Sequence, residues 1–192
     1  MTQNTTYQKI LDTARDLIAK RSYNEVSLNM IAKQAGITKP SLYYYFNNKE
    51  ELFKRILEEM SREFEEKLEH ALQQENSATA NLHLFIRTYM DFFFTRKNLI
   101  QILVHRSFHR DQRICEKIKE SRERILSKLE EVMAEVLKEQ NKTGDVDPRS
   151  ASMMVMGMLS PFFVEHIQKE EYMEISAPKV ADQVFAFLEI KK

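Results

Sequence analysis

The sequence predicts an all-α fold of about nine helices, and three observations carry that prediction. Apolar residues recur at helical spacing along most of the 192 residues. Only three glycines and four prolines accompany 30% charged residues, a balance that favours long helices over β-turns. No stretch alternates apolar and polar residues as a half-buried strand would. We expect two domains, an N-terminal helical domain over residues 1–48 and a helical bundle over residues 49–192.

Three helices are predicted in the N-terminal domain. The first follows an apolar stripe that ends before the polar segment 20–25. Ser27 is the expected N-cap of the second, which ends at Gly36 because glycine readily adopts the left-handed conformation of a sharp turn. Thr38 caps the third, and Pro40 is tolerated in its first turn. Two short helices joined by an Ala-Gly-Ile turn match the helix-turn-helix plan.

The helices of the second domain are mostly longer. Asn48 and Glu51 predict a capping box at the start of a helix of about six turns that joins the two domains. Five further helices are indicated by apolar spacing and caps: around 80–95, 97–106 and 112–141, then from Asp147 and from Ser176. Gly144 is expected to close the helix over 112–141.

Charge is balanced over the chain but unevenly placed. Lysine and arginine total 29, as do aspartate and glutamate. Residues 1–50 carry seven basic against four acidic side chains, and the remainder carries 22 against 25. A basic N-terminal domain has the sign expected for contact with a polyanion, although a solvated surface can reach this imbalance by chance.

Several classes of protein are disfavoured by what the sequence contains. A lone cysteine, Cys115, cannot form an intramolecular disulfide, so a reducing cytoplasm is expected. The longest uncharged run, residues 150–164, is too short to span a bilayer, and we expect neither export nor insertion. No glycine-rich phosphate loop, HExxH motif or nucleophile elbow is present, so the sequence predicts no enzyme and no cofactor.

Three consecutive tyrosines in the third helix indicate a binding surface. If Leu42 faces the core, Phe46 does so one turn later, which leaves Tyr43 and Tyr44 pointing outward and Tyr45 at the edge. Beside DNA, tyrosine hydroxyls can bond phosphates while the rings pack on sugars or thymine methyl groups. The alternative is a core or protein-binding surface. The first turn is the end that a recognition helix presents to base edges, and it contains Thr38, Lys39, Pro40 and Ser41.

Residues 26–53, VSLNMIAKQAGITKPSLYYYFNNKEELF, resemble the DNA-binding segment of the TetR family of transcriptional regulators. The resemblance implies that Ser27 and Asn29 touch DNA from the second helix and that Lys49 binds a phosphate. Tyr45 stands where the family often has histidine, and Pro40 where many members have glycine, so base preferences do not transfer. The main contacts that the resemblance implies come from Thr38, Lys39, Pro40, Ser41, Tyr43 and Tyr44.

Two segments of the bundle contain more apolar residues than the apolar stripe of an ordinary amphipathic helix. They are FIRTYMDFFF at 85–94 and MMVMGMLSPFF at 153–163. Ligand sites between helices are mostly apolar, and methionine adapts to irregular ligands. The resemblance places an effector pocket among these helices, so we expect a repressor released from DNA by an apolar or amphipathic small molecule. The alternative is that these side chains are simply core. The candidate effector residues are Phe85, Tyr89, Phe93, Met154, Met158 and Phe162.

The last two predicted helices have broad apolar surfaces. In the TetR family such helices pair into a four-helix interface, so the resemblance implies a homodimer. Two recognition helices would read a palindromic operator, since one short helix supplies too few base contacts. The candidate interface residues are Gly157, Phe185, Phe187 and Leu188.

Two alternative functions stay open. His105 and His109 are spaced to share one helix face, with Asp111, Cys115 and Glu116 nearby, which would suit a metal-responsive regulator. We predict no metal, because histidines four residues apart without a third firm ligand are usually surface residues. A helical interaction protein without DNA binding is the other alternative, and salt-dependent retention on DNA would separate it from a regulator.

Overall fold

A computed structural model describes residues 2–21, 23–72, 77–96, 112–168 and 177–188. Over these ranges the protein is all-helical, with eight α-helices, one 3₁₀ turn and no strand, which confirms the predicted fold class. No helix within the same ranges is both long enough and apolar enough to cross a membrane. The helices are α1 (Thr2–Lys20), α2 (Leu28–Gln34), α3 (Lys39–Tyr45), α4 (Lys49–Leu72), α5 (Ala78–Phe94), α6 (Gln112–Glu139), α7 (Pro148–Gln168) and α8 (Ala177–Leu188), and the 3₁₀ turn is Tyr23–Glu25.

The chain divides into two compact units. The first comprises Met1–Ser61 and Lys97–Lys119, and the second comprises Arg62–Arg96 and Glu120–Lys192. Helices α4 and α6 contribute residues to both units. The domain boundary expected between residues 48 and 49 therefore stays a prediction, and the helix expected over 97–106 lies outside the described residues.

Side-chain caps explain where α2 and α3 begin. Ser27 Oγ accepts a hydrogen bond from Met30 N–H at 3.3 Å, and Thr38 Oγ1 accepts one from Ser41 N–H at 3.3 Å. Each hydroxyl satisfies one of the amides that the first turn of a helix leaves without a partner. Both predicted N-caps are confirmed.

The turn between α2 and α3 requires glycine. Gly36 has φ +63°, in the left-handed region. Its N–H donates to Lys33 O at 3.2 Å, and Ile37 N–H donates to Ala32 O at 3.0 Å, which together form a Schellman motif. The predicted tight turn is confirmed, and it sets how α3 follows α2.

Buried side chains from α1 to α4 form the core of the first unit. Leu42 of α3 and Phe46 at its C-cap are each 1% exposed, so α3 is anchored by its inner face. The core includes Ile10, Leu11, Ile31, Leu42, Phe46 and Phe53.

The start of α4 is capped as predicted, with one difference. Asn48 Oδ1 accepts from Glu51 N–H at 2.7 Å. The Glu51 carboxylate accepts from Asn47 N–H at 2.9 Å, one residue before the position that a capping box uses. Both hydrogen bonds fix the backbone at the start of α4.

The predicted end of α6 is wrong by two residues. The helix ends at Glu139, and Asn141, with φ 55°, takes the left-handed position assigned to Gly144. Lys142 N–H donates to Leu137 O at 2.8 Å and so completes the same motif that ends α2. Asparagine tolerates this conformation better than most residues, whereas Gly144 lies in the following turn with φ 92°.

Within the second unit, the end of α6 caps the start of α5. The Glu139 carboxylate accepts from Ala78 N–H at 2.8 Å, from Thr79 N–H at 3.1 Å and from Thr79 Oγ1–H at 3.1 Å. The hydrogen bond from Ala78, with those from Thr79, holds the pKa of Glu139 below its ordinary value of 4.5. A carboxylate is also favoured at the positive end of the helix dipole.

This cap makes stability depend on pH with a definite sign. Because the pKa of Glu139 is lower in the folded state, its contribution is complete above pH 4.5 and is lost as the pH falls through the folded-state value. We expect wild type to be more stable than Glu139→Gln at neutral pH, with the difference shrinking below pH 4.5. Urea denaturation over a pH series measures this. The control is Glu135→Gln, one turn earlier and exposed; a wild-type advantage over Glu139→Gln that persists at pH 3 would contradict the assignment.

Candidate DNA interface and effector core

The outer face of α3 exposes two tyrosines. Tyr43 is 50% exposed and Tyr44 is 73% exposed, whereas Leu42 and Phe46 are each 1% exposed. Tyr45 is half-buried between these two faces. The predicted orientation of α3 is confirmed, and its exposed rings have the amphipathic character that suits a groove lined by phosphates and bases.

An aromatic stack that begins at Tyr7 of α1 reaches Tyr44 through Tyr45. The Tyr7 ring stacks on Phe46 with centroids 5.4 Å apart and lies 6.2 Å from the Tyr45 ring. Tyr45 in turn meets Tyr44 edge to face at 5.2 Å. Burial raises the pKa of Tyr7 above its ordinary value. The stack therefore gives exposed Tyr44 an aromatic neighbour, Tyr45, within the first unit.

Sequence reasoning missed Tyr7. It lies on the apolar stripe of α1, and helical spacing alone indicates only that it is partly buried. Its role depends on contact with side chains 38 and 39 positions later, which no local pattern encodes.

The hydroxyl residues among the predicted contacts are oriented by the helix caps. Ser27 and Thr38 are exposed, and because each hydroxyl oxygen accepts a backbone N–H, its own proton remains available for a phosphate. Asn29, Lys39 and Pro40 are also exposed, and Ser41 is half-buried. The structure therefore leaves these side chains accessible on α2 and α3 within the first unit.

Lys49, for which the resemblance implies a phosphate contact, is bound to carbonyl groups of its own chain. Its Nζ donates to Tyr23 O at 2.7 Å and to Val26 O at 2.9 Å, and it lies 3.9 Å from the centroid of the Tyr23 ring. Burial lowers the pKa of Lys49 below its ordinary value, partly offset by the nearby Glu50 carboxylate. The phosphate contact that the resemblance implies for Lys49 stays a prediction.

An aromatic cluster fills the second unit. Tyr89 lies 4.7 Å from Phe93, 5.7 Å from Phe64 and 6.4 Å from Phe85, measured between ring centroids. Burial raises the pKa of Tyr89 far above its ordinary value. Phe92 lies at the edge of the cluster, 5.1 Å from Phe64. The candidate effector residues Phe85, Tyr89 and Phe93 are thus brought together, and Phe64 joins them from α4.

The candidates on α7 and α8 separate into inner and outer residues. Met154 is 64% exposed and Phe187 is 76% exposed, whereas Phe185 is 2% exposed and its ring lies 5.6 Å from His83. Phe185 is therefore part of the core, so it cannot anchor a partner without leaving its neighbours. Met154 lies outside the aromatic cluster. Gly157, three residues later in α7, is also exposed. Met158, Phe162 and Leu188 are half-buried.

A cleft of about 530 Å³ opens elsewhere in the second unit. Four glutamates line it with a single lysine, so its field opposes anionic ligands. None of the six candidate effector residues belongs to its lining, which consists of Glu69, Leu72, Ala78, Asn81, Lys128, Glu131, Val132, Glu135 and Glu139.

The hypothesis of a metal-responsive regulator can be compared with the part of the chain that the structure describes. Over those ranges, no group of three His, Cys, Asp or Glu side chains could hold a metal ion. His105, His109 and Asp111 fall outside them, so the metal alternative is not tested at its own position.

Comparison with known proteins agrees with the geometry of both units. The family model for bacterial regulatory proteins of the tetR family matches residues 10–56, and that for the tetracyclin repressor-like C-terminal domain matches residues 75–162. The fatty acid metabolism regulator protein of Bacillus subtilis (strain 168) is 24% identical over 171 residues, covering 89% of this chain and 88% of the relative.

Two solved structures share the fold. The transcriptional regulator FadR from Bacillus subtilis, in complex with stearoyl-CoA, has a TM-score of 0.81 at 23% identity and covers 95% of this chain and 97% of its own. AibR, in complex with isovaleryl coenzyme A and operator DNA, has a TM-score of 0.72 at 25% identity and covers 94% and 97%.

The protein has a capped helix-turn-helix with an exposed outer face, and its N-terminal region matches the model of a regulator family. It is therefore a DNA-binding transcriptional regulator. The chain belongs to the TetR family, whose two characteristic regions it contains in order. The family resemblance seen in residues 26–53 is thereby confirmed.

Proposed function

We propose that the protein is a cytoplasmic repressor that binds a palindromic operator as a homodimer and leaves it when an acyl-coenzyme A binds the second unit. The observation that carries DNA binding is the pair of exposed tyrosines on a capped, well-anchored α3. Residues 1–48 would act as the DNA-binding domain and residues 49–192 as the effector and dimerisation domain.

The effector class rests on the aromatic cluster and on the relatives. Phe64, Phe85, Tyr89 and Phe93 provide apolar surface for an acyl chain, and parting these rings would let a chain enter. A relative of similar length is a fatty acid metabolism regulator, and two proteins of the same fold bind coenzyme A thioesters. The acidic cleft is the wrong place for such a ligand, because coenzyme A carries several negative charges.

The dimer interface is proposed on the exposed apolar side chains of α7 and α8. Met153, Met154 and Phe187 are more than half exposed and lie on two helices that contact each other, so together they offer apolar surface that a second copy could cover. Apart from its chain neighbours and its own helix backbone, no atom lies within 4 Å of the position that a Cβ of Gly157 would take, so a second copy could approach the backbone there.

Release from DNA needs a ligand that discriminates between two states. An acyl-coenzyme A that binds better to a conformation with wrongly spaced recognition helices shifts the dimer away from the operator. Shifting the equilibrium from mostly bound to mostly released requires a roughly 10⁴-fold preference for the released conformation. Helix α4, which has residues in both units, is the proposed lever.

Operator release tests this proposal directly. A duplex is first selected from random DNA by the wild-type protein, and its complex is then titrated with isovaleryl-, octanoyl-, palmitoyl- and stearoyl-coenzyme A while fluorescence anisotropy is followed. We expect release by at least one thioester at micromolar concentration, together with a raised Tm of the free protein, because a ligand that binds only the native state stabilises it.

Two control ligands distinguish the contribution of the acyl chain to binding from that of the coenzyme A nucleotide. Free coenzyme A and the corresponding free fatty acid should each act more weakly than the thioester. Equal release by coenzyme A alone would contradict an acyl-binding site, and no release by any thioester would contradict the effector class. Failure to select any duplex would contradict the repressor function itself.

A further inference from the structure

The first residue of α4 is tied to the 3₁₀ turn that precedes α2. Lys49 Nζ donates to Tyr23 O at 2.7 Å and to Val26 O at 2.9 Å. The same ammonium lies 3.9 Å from the centroid of the Tyr23 ring, which Phe53 holds edge-on at 4.3 Å. We call this set of contacts the Lys49 clamp.

The clamp offsets an unfavourable position for a cation. Lys49 is the first residue of α4, where the helix dipole opposes positive charge. Burial of the side chain adds a desolvation cost, and a long side chain loses rotamer freedom when it is held. Two charge-assisted hydrogen bonds and one cation–π contact compensate for these costs.

The clamp acts on a residue of the candidate DNA interface. Val26 O belongs to the peptide bond that joins Val26 to Ser27, so the second hydrogen bond fixes the backbone from which Ser27 projects. Val26 is 1% exposed, and Ser27 Oγ accepts the Met30 amide that starts α2. Lys49 thus fixes the peptide bond from which Ser27 projects, and the capping bond orients the Ser27 hydroxyl.

We propose that Lys49 is a positioning residue for DNA recognition, which sets the Ser27 hydroxyl and the start of α2 and does not itself neutralise a phosphate. An ammonium has three N–H donors. Two are committed to carbonyls and the Tyr23 ring lies against the same group, so a phosphate contact would have to break the clamp. This inference rests on the proposed binding of DNA by α2 and α3.

Amine labelling of the wild-type protein tests the clamp without a substitution. Competitive acetylation followed by mass spectrometry reports how accessible each lysine is, and exposed Lys39 on α3 is the internal control. We expect Lys49 to react about tenfold more slowly than Lys39 in free protein, as two charge-assisted hydrogen bonds must open first. Adding the selected duplex should protect Lys39 and leave Lys49 unchanged. Rapid labelling of Lys49 that DNA suppresses would overturn the proposal.

A double-mutant cycle tests the coupling to Ser27. Lys49→Met removes the ammonium and keeps an unbranched side chain. We expect it to weaken binding to the selected duplex by about tenfold, and by much less in a Ser27→Ala background, because the two residues then act as a unit. The matched control is Thr38→Ala, the other capping hydroxyl, whose effect should combine with Lys49→Met additively.

The salt dependence of binding separates positioning from charge neutralisation. Lys49→Met should leave the slope of log K against log salt unchanged. Lys39→Met, which removes an exposed cation from the α3 face that is proposed to meet DNA, should lower the magnitude of that slope by about two in a dimer. A slope reduced by Lys49→Met, with additive loss in the Ser27→Ala background, would show a direct phosphate contact instead. If the wild-type protein selects no duplex, the proposed function fails, and the labelling of free protein still tests whether the clamp exists.

Discussion

Replacing Tyr43 and Tyr44 together by alanine is expected to abolish tight operator binding. Each good contact to DNA bases contributes about 1–3 kcal/mol, and a homodimer loses each contact twice, so affinity should fall at least about a hundredfold. Stability should change by about 1 kcal/mol or less, because both rings are exposed. Fluorescence anisotropy with the selected duplex and thermal unfolding of the free protein measure the two effects.

Single phenylalanine substitutions resolve which part of each tyrosine is used. Tyr43→Phe and Tyr44→Phe keep the ring and remove only the hydroxyl. If the hydroxyls bond phosphates, each substitution weakens binding on all sequences alike; if the rings contact thymine methyl groups, affinity is largely retained. Undiminished binding of the double alanine variant would refute the assignment of α3 as the recognition helix.

Phe64→Ala is expected to produce the largest loss of stability in the second unit. Phe64 is 1% exposed, and its ring lies against Tyr89, Phe92 and Phe93. Truncation of a buried phenylalanine removes transfer free energy and leaves a cavity, at a cost of about 3–5 kcal/mol. Urea denaturation of the purified protein measures the change in the free energy of unfolding.

Two other substitutions serve as comparisons for the stability loss expected of Phe64→Ala. Phe64→Leu leaves a smaller cavity and should lose less stability than Phe64→Ala. Tyr44→Ala, with 73% of its side chain exposed, should leave stability nearly intact while impairing DNA binding. A loss below about 1 kcal/mol for Phe64→Ala would mean that the aromatic cluster adapts to the gap, and such looseness would itself favour an adjustable ligand site.

Local patterns were sufficient for most of the first unit. Ser27, Thr38, Asn48 and Gly36 act within four residues of the amides or carbonyls that they satisfy, so their roles can be predicted from spacing alone. The orientation of α3 also followed from periodicity, because a helix of two turns has one inner face. The end of α6 was misplaced because asparagine and glycine compete for the same left-handed position.

Contacts between distant segments could not be predicted. Lys49 reaches carbonyls 23 and 26 residues earlier, and no single-sequence pattern encodes that meeting. Helical spacing indicates that Phe64 lies on the apolar face of α4, but its membership of the aromatic cluster depends on how α5 packs. Met154 and Phe185 were assigned from composition, which does not distinguish the inner from the outer face of an apolar helix; α7 is apolar nearly all round.

The Glu139 cap has a consequence for synthesis of the chain. The amides at the start of α5 are satisfied by a carboxylate 60 and 61 residues later. At a translation rate of roughly 5–20 residues per second, a ribosome needs several seconds to add that stretch. During this interval the nascent α5 lacks its distant cap, so the amides at its start gain their protein acceptor only after Glu139 has been synthesised.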